Sequence, residues 1–146
     1  MQPAISPDGD WIAYTSDRTG TFEAYVARVP ALGDRLLLST DGGQARVWSD
    51  DGSELFYRRL SDGAMMMVPI AGSPVLTPGP AELLSKAAGY STGAAIGDEV
   101  FVNNYDVTAN GQRFLMLTGN NPQVRVNVVY NWRRELLERA CNEGDL

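Results

Sequence analysis

Histidine is absent from this 146-residue chain, and cysteine occurs once. Without an imidazole there is no Ser-His-Asp or Cys-His nucleophile, no histidine general base and no histidine-liganded zinc. Cys141 alone forms neither an internal disulfide nor a thiolate metal cage, so it leaves the redox compartment open. No apolar run approaches the ~20 residues that cross a bilayer. The opening Met1-Gln2-Pro3-Ala4 lacks the basic and apolar regions of a signal peptide. Membrane insertion is therefore not expected. Positive charge is also scarce, with Lys+Arg at 12 against Asp+Glu at 18, a net charge of -6. No basic run exceeds two residues, as at Arg58-Arg59 and Arg133-Arg134. Such a chain repels a phosphate backbone, and nucleic acid is not an expected partner.

The acidic pairs Asp8/Asp10 and Asp50/Asp51 do not form a calcium loop, which needs regularly spaced ligands closed by a glutamate. Aspartate is at home in turns, and that is where both pairs fall. Nothing in the sequence sets two carboxylates across a cleft for glycoside hydrolysis. The expectation is a protein with no cofactor, no metal and no catalytic residues.

What is present is a repeat. The segments Ala4–Tyr14, Val47–Tyr57 and Asp106–Met116 superimpose without gaps on Gly9, Gly52 and Gly111. Four positions before each glycine stands an apolar residue (Ile5, Trp48, Val107), and three before it a hydroxyl (Ser6, Ser49, Thr108). Asp8, Asp51 or Asn110 immediately precedes it, and three apolar residues follow shortly after. Pro7 presets the first central φ of a type I turn, and Asp or Asn suits the next position. Glycine then takes the left-handed conformation that closes a bulged hairpin, while the hydroxyl reaches back to the turn's amides.

Strands are expected on both sides of each hairpin: Trp11 to Thr15, Leu55 to Tyr57 and Phe114 to Leu117 directly after the turns. Phe22 to Val29, Ala64 to Val68 and Val124 to Tyr130 come next, the first two ended by Val29-Pro30 and Val68-Pro69. Fourth strands fit at Arg35 to Ser39 and Glu82 to Ser85. The glycines are 43 and then 59 positions apart, and the extra length falls in a loop-like connector between Ala71 and Asn104. Four short strands repeating every ~40–45 residues describe a propeller blade.

The expected fold is all-β: a partial β-propeller of about three four-stranded antiparallel blades. The blades are placed at 2–40, 44–86 and 99–130. A short helix is expected over 131–140, capped by Asn131, with Trp132, Leu136 and Ala140 on one face. The first strand of each blade lines a propeller's channel, so Arg46, Asn104, Tyr105 and Asp106 are the candidates for contact with a channel ligand or peptide. Met65-Met66-Met67 is read as packing between blades, because alternate members of a strand face opposite ways.

The string Ser6-Pro7-Asp8-Gly9 followed by Trp11 through Gly20 resembles the repeat of TolB-type, WD-repeat-like bacterial β-propellers. The likeness is closest over 4–29, looser over 45–70, and at 105–118 Thr108-Ala109-Asn110-Gly111 replaces the motif. The stretch from Tyr105 to Met116, with Val126 to Trp132 and Glu135-Leu136, is similar to the C-terminal end of propellers that follow bacterial serine/threonine kinases or regulators. The resemblance implies the last two to three blades of a longer propeller that binds protein or peptide partners, in an extracytoplasmic or periplasmic setting. The alternative it offers is the sensory C-terminal part of a kinase or transcriptional regulator. No Gly-rich phosphate loop, Val-Ala-Ile-Lys, His-Arg-Asp or Asp-Phe-Gly occurs here, so kinase activity does not carry over. A peptidase-associated propeller would need a separate hydrolase domain. Open blade edges and faces would favour self-association.

Overall fold

The computed structural model describes residues 3–31, 33, 35–72, 75–85, 105–109, 111–118 and 125–130. Among them are twelve strands and no helix, hence none that could cross a membrane.

The strands form three antiparallel sheets in chain order. The first is β1 (Ala4–Ile5), β2 (Trp11–Ser16), β3 (Glu23–Arg28) and β4 (Arg35–Leu37), each paired to its neighbour. The second is built on β5 (Gly43–Trp48), β6 (Glu54–Arg59) and β7 (Met65–Ala71). Two short strands share the far edge of β7: β8 (Thr77–Pro78) lies against Ile70 and Ala71, and β9 (Glu82–Ser85) against Met65 to Met67. The third sheet is β10 (Tyr105–Val107), β11 (Arg113–Thr118) and β12 (Arg125–Tyr130).

Side-chain alternation decides how the sheets stack. In β2, Trp11, Ala13 and Thr15 are buried while Ile12, Tyr14 and Ser16 are half-buried, which marks one core face and one outer face. In the second sheet, Leu55 to Arg58 and Met65 to Val68 are all buried, so both of its faces are covered. Leu55, Tyr57, Met66 and Val68 meet Trp11, Ala13, Ala24 and Val26 of the first sheet. Phe56, Met65 and Met67 meet Tyr105, Phe114 and Met116 of the third. Phe56 and Phe114 lie edge to face, with centroids 5.0 Å apart and planes at 81°. The methionine run thus supplies both seams, its neighbours alternating between the first sheet and the third. Burying side chains of this size is worth about 1.5–3 kcal/mol each. Sheets stacked face to face, with their first strands gathered on one side, make the propeller arrangement.

A buried acid ties the first sheet to the second. Ser39 donates to the Glu23 carboxylate, and the Gly42 amide donates to both its oxygens at 3.1 and 3.2 Å. The Ser39 hydroxyl in turn accepts from Ala24 N at 2.8 Å. The connector between sheets is therefore held by hydrogen bonds, not by packing alone.

The strand expected to end at Val68-Pro69 instead runs on to Ala71, with Pro69 opposite Glu54. The Pro69 carbonyl accepts from Gly79 N at 2.8 Å, so its missing donor faces the edge where β9 has ended and β8 is only beginning. A proline at such a gap costs the ladder nothing. The second sheet accordingly has a fifth strand, β8, within the stretch expected to be a connector. The helix expected over 131–140 lies outside the described residues.

Candidate functional site

The repeated hairpins are built alike. Gly9, Gly52 and Gly111 adopt φ of 80°, 71° and 64°, the left-handed region that favours glycine. Each glycine amide donates to the carbonyl of the hydroxyl residue three before it: Ser6 at 2.9 Å, Ser49 at 2.9 Å and Thr108 at 2.7 Å. The hydroxyls of Ser6, Ser49 and Thr108 accept from the amides of Trp11, Glu54 and Arg113 at 3.0, 2.9 and 3.2 Å.

The aspartates complete two of these turns. Asp8 accepts from the Ser6 hydroxyl and from Asp10 N, and these bonds lower its pKa, the Ser6 contact most. Asp51 accepts from Ser53 N, Ser53 Oγ and Ser49 Oγ, which pull its pKa down to about 2. Asn110 lies outside the described residues. These side chains serve the backbone.

Because each sheet begins on the same side, β1, β5 and β10 come together and line a groove of about 600 Å³. Its walls are Ala4 and Ile5, Val47 and Trp48, and Tyr105 and Asp106, with Pro7, Ser49 and Asp50 at the turns. The groove joins an apolar strip to two acids: Ile5 is 64% exposed, and Asp50 and Asp106 are both open to solvent. Trp48 is nearly buried, its Nε1–H donating to the Ala4 carbonyl at 3.1 Å, which locks the second sheet's first strand to the first sheet's.

The four channel candidates separate here. Asp106 lines the groove, and its Oδ1 accepts from Val107 N at 2.9 Å. Tyr105 borders the groove by its position on β10, but its side chain is buried in the seam and its hydroxyl donates to the Phe56 carbonyl at 3.0 Å. Arg46 belongs to β5, but its side chain lies outside what is described, as does Asn104 altogether. Sequence reasoning missed Ile5 and Asp50 as groove residues. Their place beside the hairpin in the first two repeats was the available signal. It also missed Gly89-Tyr90-Ser91-Thr92-Gly93, which has the Gly-x-Ser-x-Gly form of a hydrolase elbow. That string lies outside the described residues, and a chain without histidine offers it no imidazole base. Among the described residues no cluster of acids or cysteine is arranged to hold a metal.

No protein-family model matches the chain, and no curated protein matches it in sequence. Solved structures do. A protein described as TolB from Agrobacterium tumefaciens aligns over 90% of this chain and 47% of its own, with a TM-score of 0.57 and 16% identity. TolB from Acinetobacter baumannii aligns over 90% of this chain and 41% of its own, at 18% identity and a TM-score of 0.37. The chain thus spans less than half the length of each. At such identities the likeness is one of fold, and the fold of this chain is that of consecutive blades of a TolB-type β-propeller.

Proposed function

We propose that the chain is a non-catalytic binding segment that holds a protein or peptide in the groove formed by the first strands of its three sheets. The observation that carries this is the groove's composition: exposed Ile5 beside the open carboxylates of Asp50 and Asp106. An apolar strip with acids at its edge suits an extended segment that offers an apolar side chain and a basic one. The TolB-type fold supports an extracytoplasmic setting for this interaction. The repeating units are the stretches 2–40, 44–86 and 99–130.

Peptides selected by phage display on the immobilised protein would test this. Their affinity, measured by fluorescence anisotropy, is expected to fall about tenfold for Asp106→Arg, because one attraction becomes a repulsion. Arg18→Ala, in an exposed turn away from the groove, is the control that leaves affinity unchanged. Selected peptides that bind the wild type and Asp106→Arg equally would refute the groove as the binding site.

A further inference from the structure

A second cleft runs along the seam between the first and second sheets, outside the groove. It consists of two hollows on either side of Trp11 and Leu76, residues that line both. One hollow, of about 240 Å³, carries the carboxylates of Asp8 and Asp51 from two neighbouring hairpins. The other, of about 460 Å³, carries Arg28 and Arg35. The seam therefore changes sign from one side of the Trp11–Leu76 ridge to the other.

Three features make this more than a scatter of surface charge. The hairpins approach each other closely enough that a Cβ on Gly52 would stand 3.6 Å from Pro7 Cδ, so the two acids belong to one wall. Neither acid pairs with a basic side chain among the described residues, and both are held in the charged form by their turns. Beside the ridge stands Val75, 72% exposed, the most open large apolar side chain among the described residues. With Leu36 and Leu76 on the same wall, Val75 makes an apolar strip between the two charged hollows.

We propose that this seam binds an extended peptide segment carrying a basic side chain, an apolar side chain and an acidic side chain in succession. The basic group enters the hollow of Asp8 and Asp51, the apolar one covers Val75 and Leu76, and the acidic one meets Arg28 and Arg35. Opposite charges at the two ends fix the direction in which the segment lies. Pairs at such exposed sites are individually weak, so the ordered pattern supplies selectivity more than affinity.

The probe is acetyl-Lys-Leu-Glu-amide, titrated into the full chain with the Trp11 indole N–H signal followed by NMR. Acetyl-Lys-Leu-Lys-amide and acetyl-Glu-Leu-Glu-amide are the comparisons. The mixed peptide is expected to bind about threefold to fivefold more tightly than either like-charged one. Arg35→Gln should remove its advantage over the Lys-Leu-Lys peptide, and Asp8→Asn its advantage over the Glu-Leu-Glu peptide. Asp8→Asn keeps the Oδ1 acceptor of the turn, Arg35→Gln removes the charge while leaving a polar side chain at an exposed position, and a dispersed amide spectrum verifies that each is folded. If Asp8→Asn fails that check, Arg35→Gln with Arg28→Gln carries the test alone. Asp106→Arg should leave this titration unchanged, which separates the seam from the groove. No movement of the Trp11 signal up to about 10 mM peptide, or equal affinity for all three peptides, would overturn the proposal.

Discussion

Gly52 gives a sharp test of the hairpin argument. Its φ of 71° lies in the left-handed region, and its amide donates to the Ser49 carbonyl at 2.9 Å. A Cβ at this position would sit 3.6 Å from Pro7 Cδ, an ordinary contact, so collision is not the issue. The cost comes from the backbone: the left-handed conformation is disfavoured by about 1–2 kcal/mol for a residue with a side chain. Removing glycine also narrows the unfolded ensemble, which returns about 0.4–1 kcal/mol. Gly52→Ala should therefore destabilise the fold by about 1 kcal/mol. Gly52→Val should cost about 2 kcal/mol, since a β-branched residue is a worse fit there. Gly52→Asn should cost least, because asparagine visits this region readily. Urea unfolding followed by tryptophan fluorescence reads the differences. With a slope of about 2 kcal/mol per molar, the valine variant's midpoint falls by about 1 M. If alanine, valine and asparagine shift the midpoint equally, or none does, the glycine is not there for its conformation and the repeat alignment loses its physical basis.

Gly43 makes a contrasting case. Its φ is not positive, yet a Cβ would lie 2.6 Å from Ser39 Oγ and 2.9 Å from Ala24 Cβ, so Gly43→Ala should lose about 1–3 kcal/mol in the same assay through overpacking. The pH dependence follows from Asp51. Its folded pKa of about 2 lies below the ordinary 3.8, so its contribution is fully present above about pH 4 and is lost as pH falls toward 2. The slope of urea midpoint against pH over that window should be shallower in Asp51→Asn than in the wild type, and an identical slope would refute the assignment. The outer side of the first sheet presents Ile5 and Leu37, 64% and 48% exposed, on the face away from the core. Light scattering coupled to size exclusion should find self-association of the isolated chain, reduced in Leu37→Lys. A wild-type monomer would contradict it.

What the sequence made legible was local. A hydroxyl three positions before a glycine and an acid or amide just before it are read within one turn. The hairpins at Gly9, Gly52 and Gly111 then set the strands on either side of them. What was hidden depended on distant partners. Glu23 meets Ser39 and Gly42, 16 and 19 positions away, and nothing near Glu23 announces them. Whether a proline ends a strand depends on which edge its missing donor faces, and for Pro69 that edge is formed by β8 and β9. The groove was half legible. The order of strands places β10 at the groove, whereas the alternation along it buries Tyr105 and exposes Asp106.

The second sheet's burial on both sides has a consequence for strand alignment. In β2 a slip of one residue would put Trp11 and Ala13 on the outer face, so the apolar pattern itself penalises the error. Along Leu55 to Tyr57 and Met65 to Val68 such a slip exchanges one apolar residue for another, and the apolar pattern there is nearly silent. The alignment of these strands must be encoded in the turn between them. Arg59 grips Asp62 through two bonds of 2.9 and 2.7 Å, Gly63 N donates to the Arg59 carbonyl, and Ala64 N donates to Asp62. Buried Arg58 reaches the Gly63 carbonyl from Nη2 at 2.8 Å. The six residues from Arg59 to Ala64 therefore act as the reading-frame mark of the central sheet. An error there would leave a well-buried but misaligned sheet, with both seams filled by the wrong side chains.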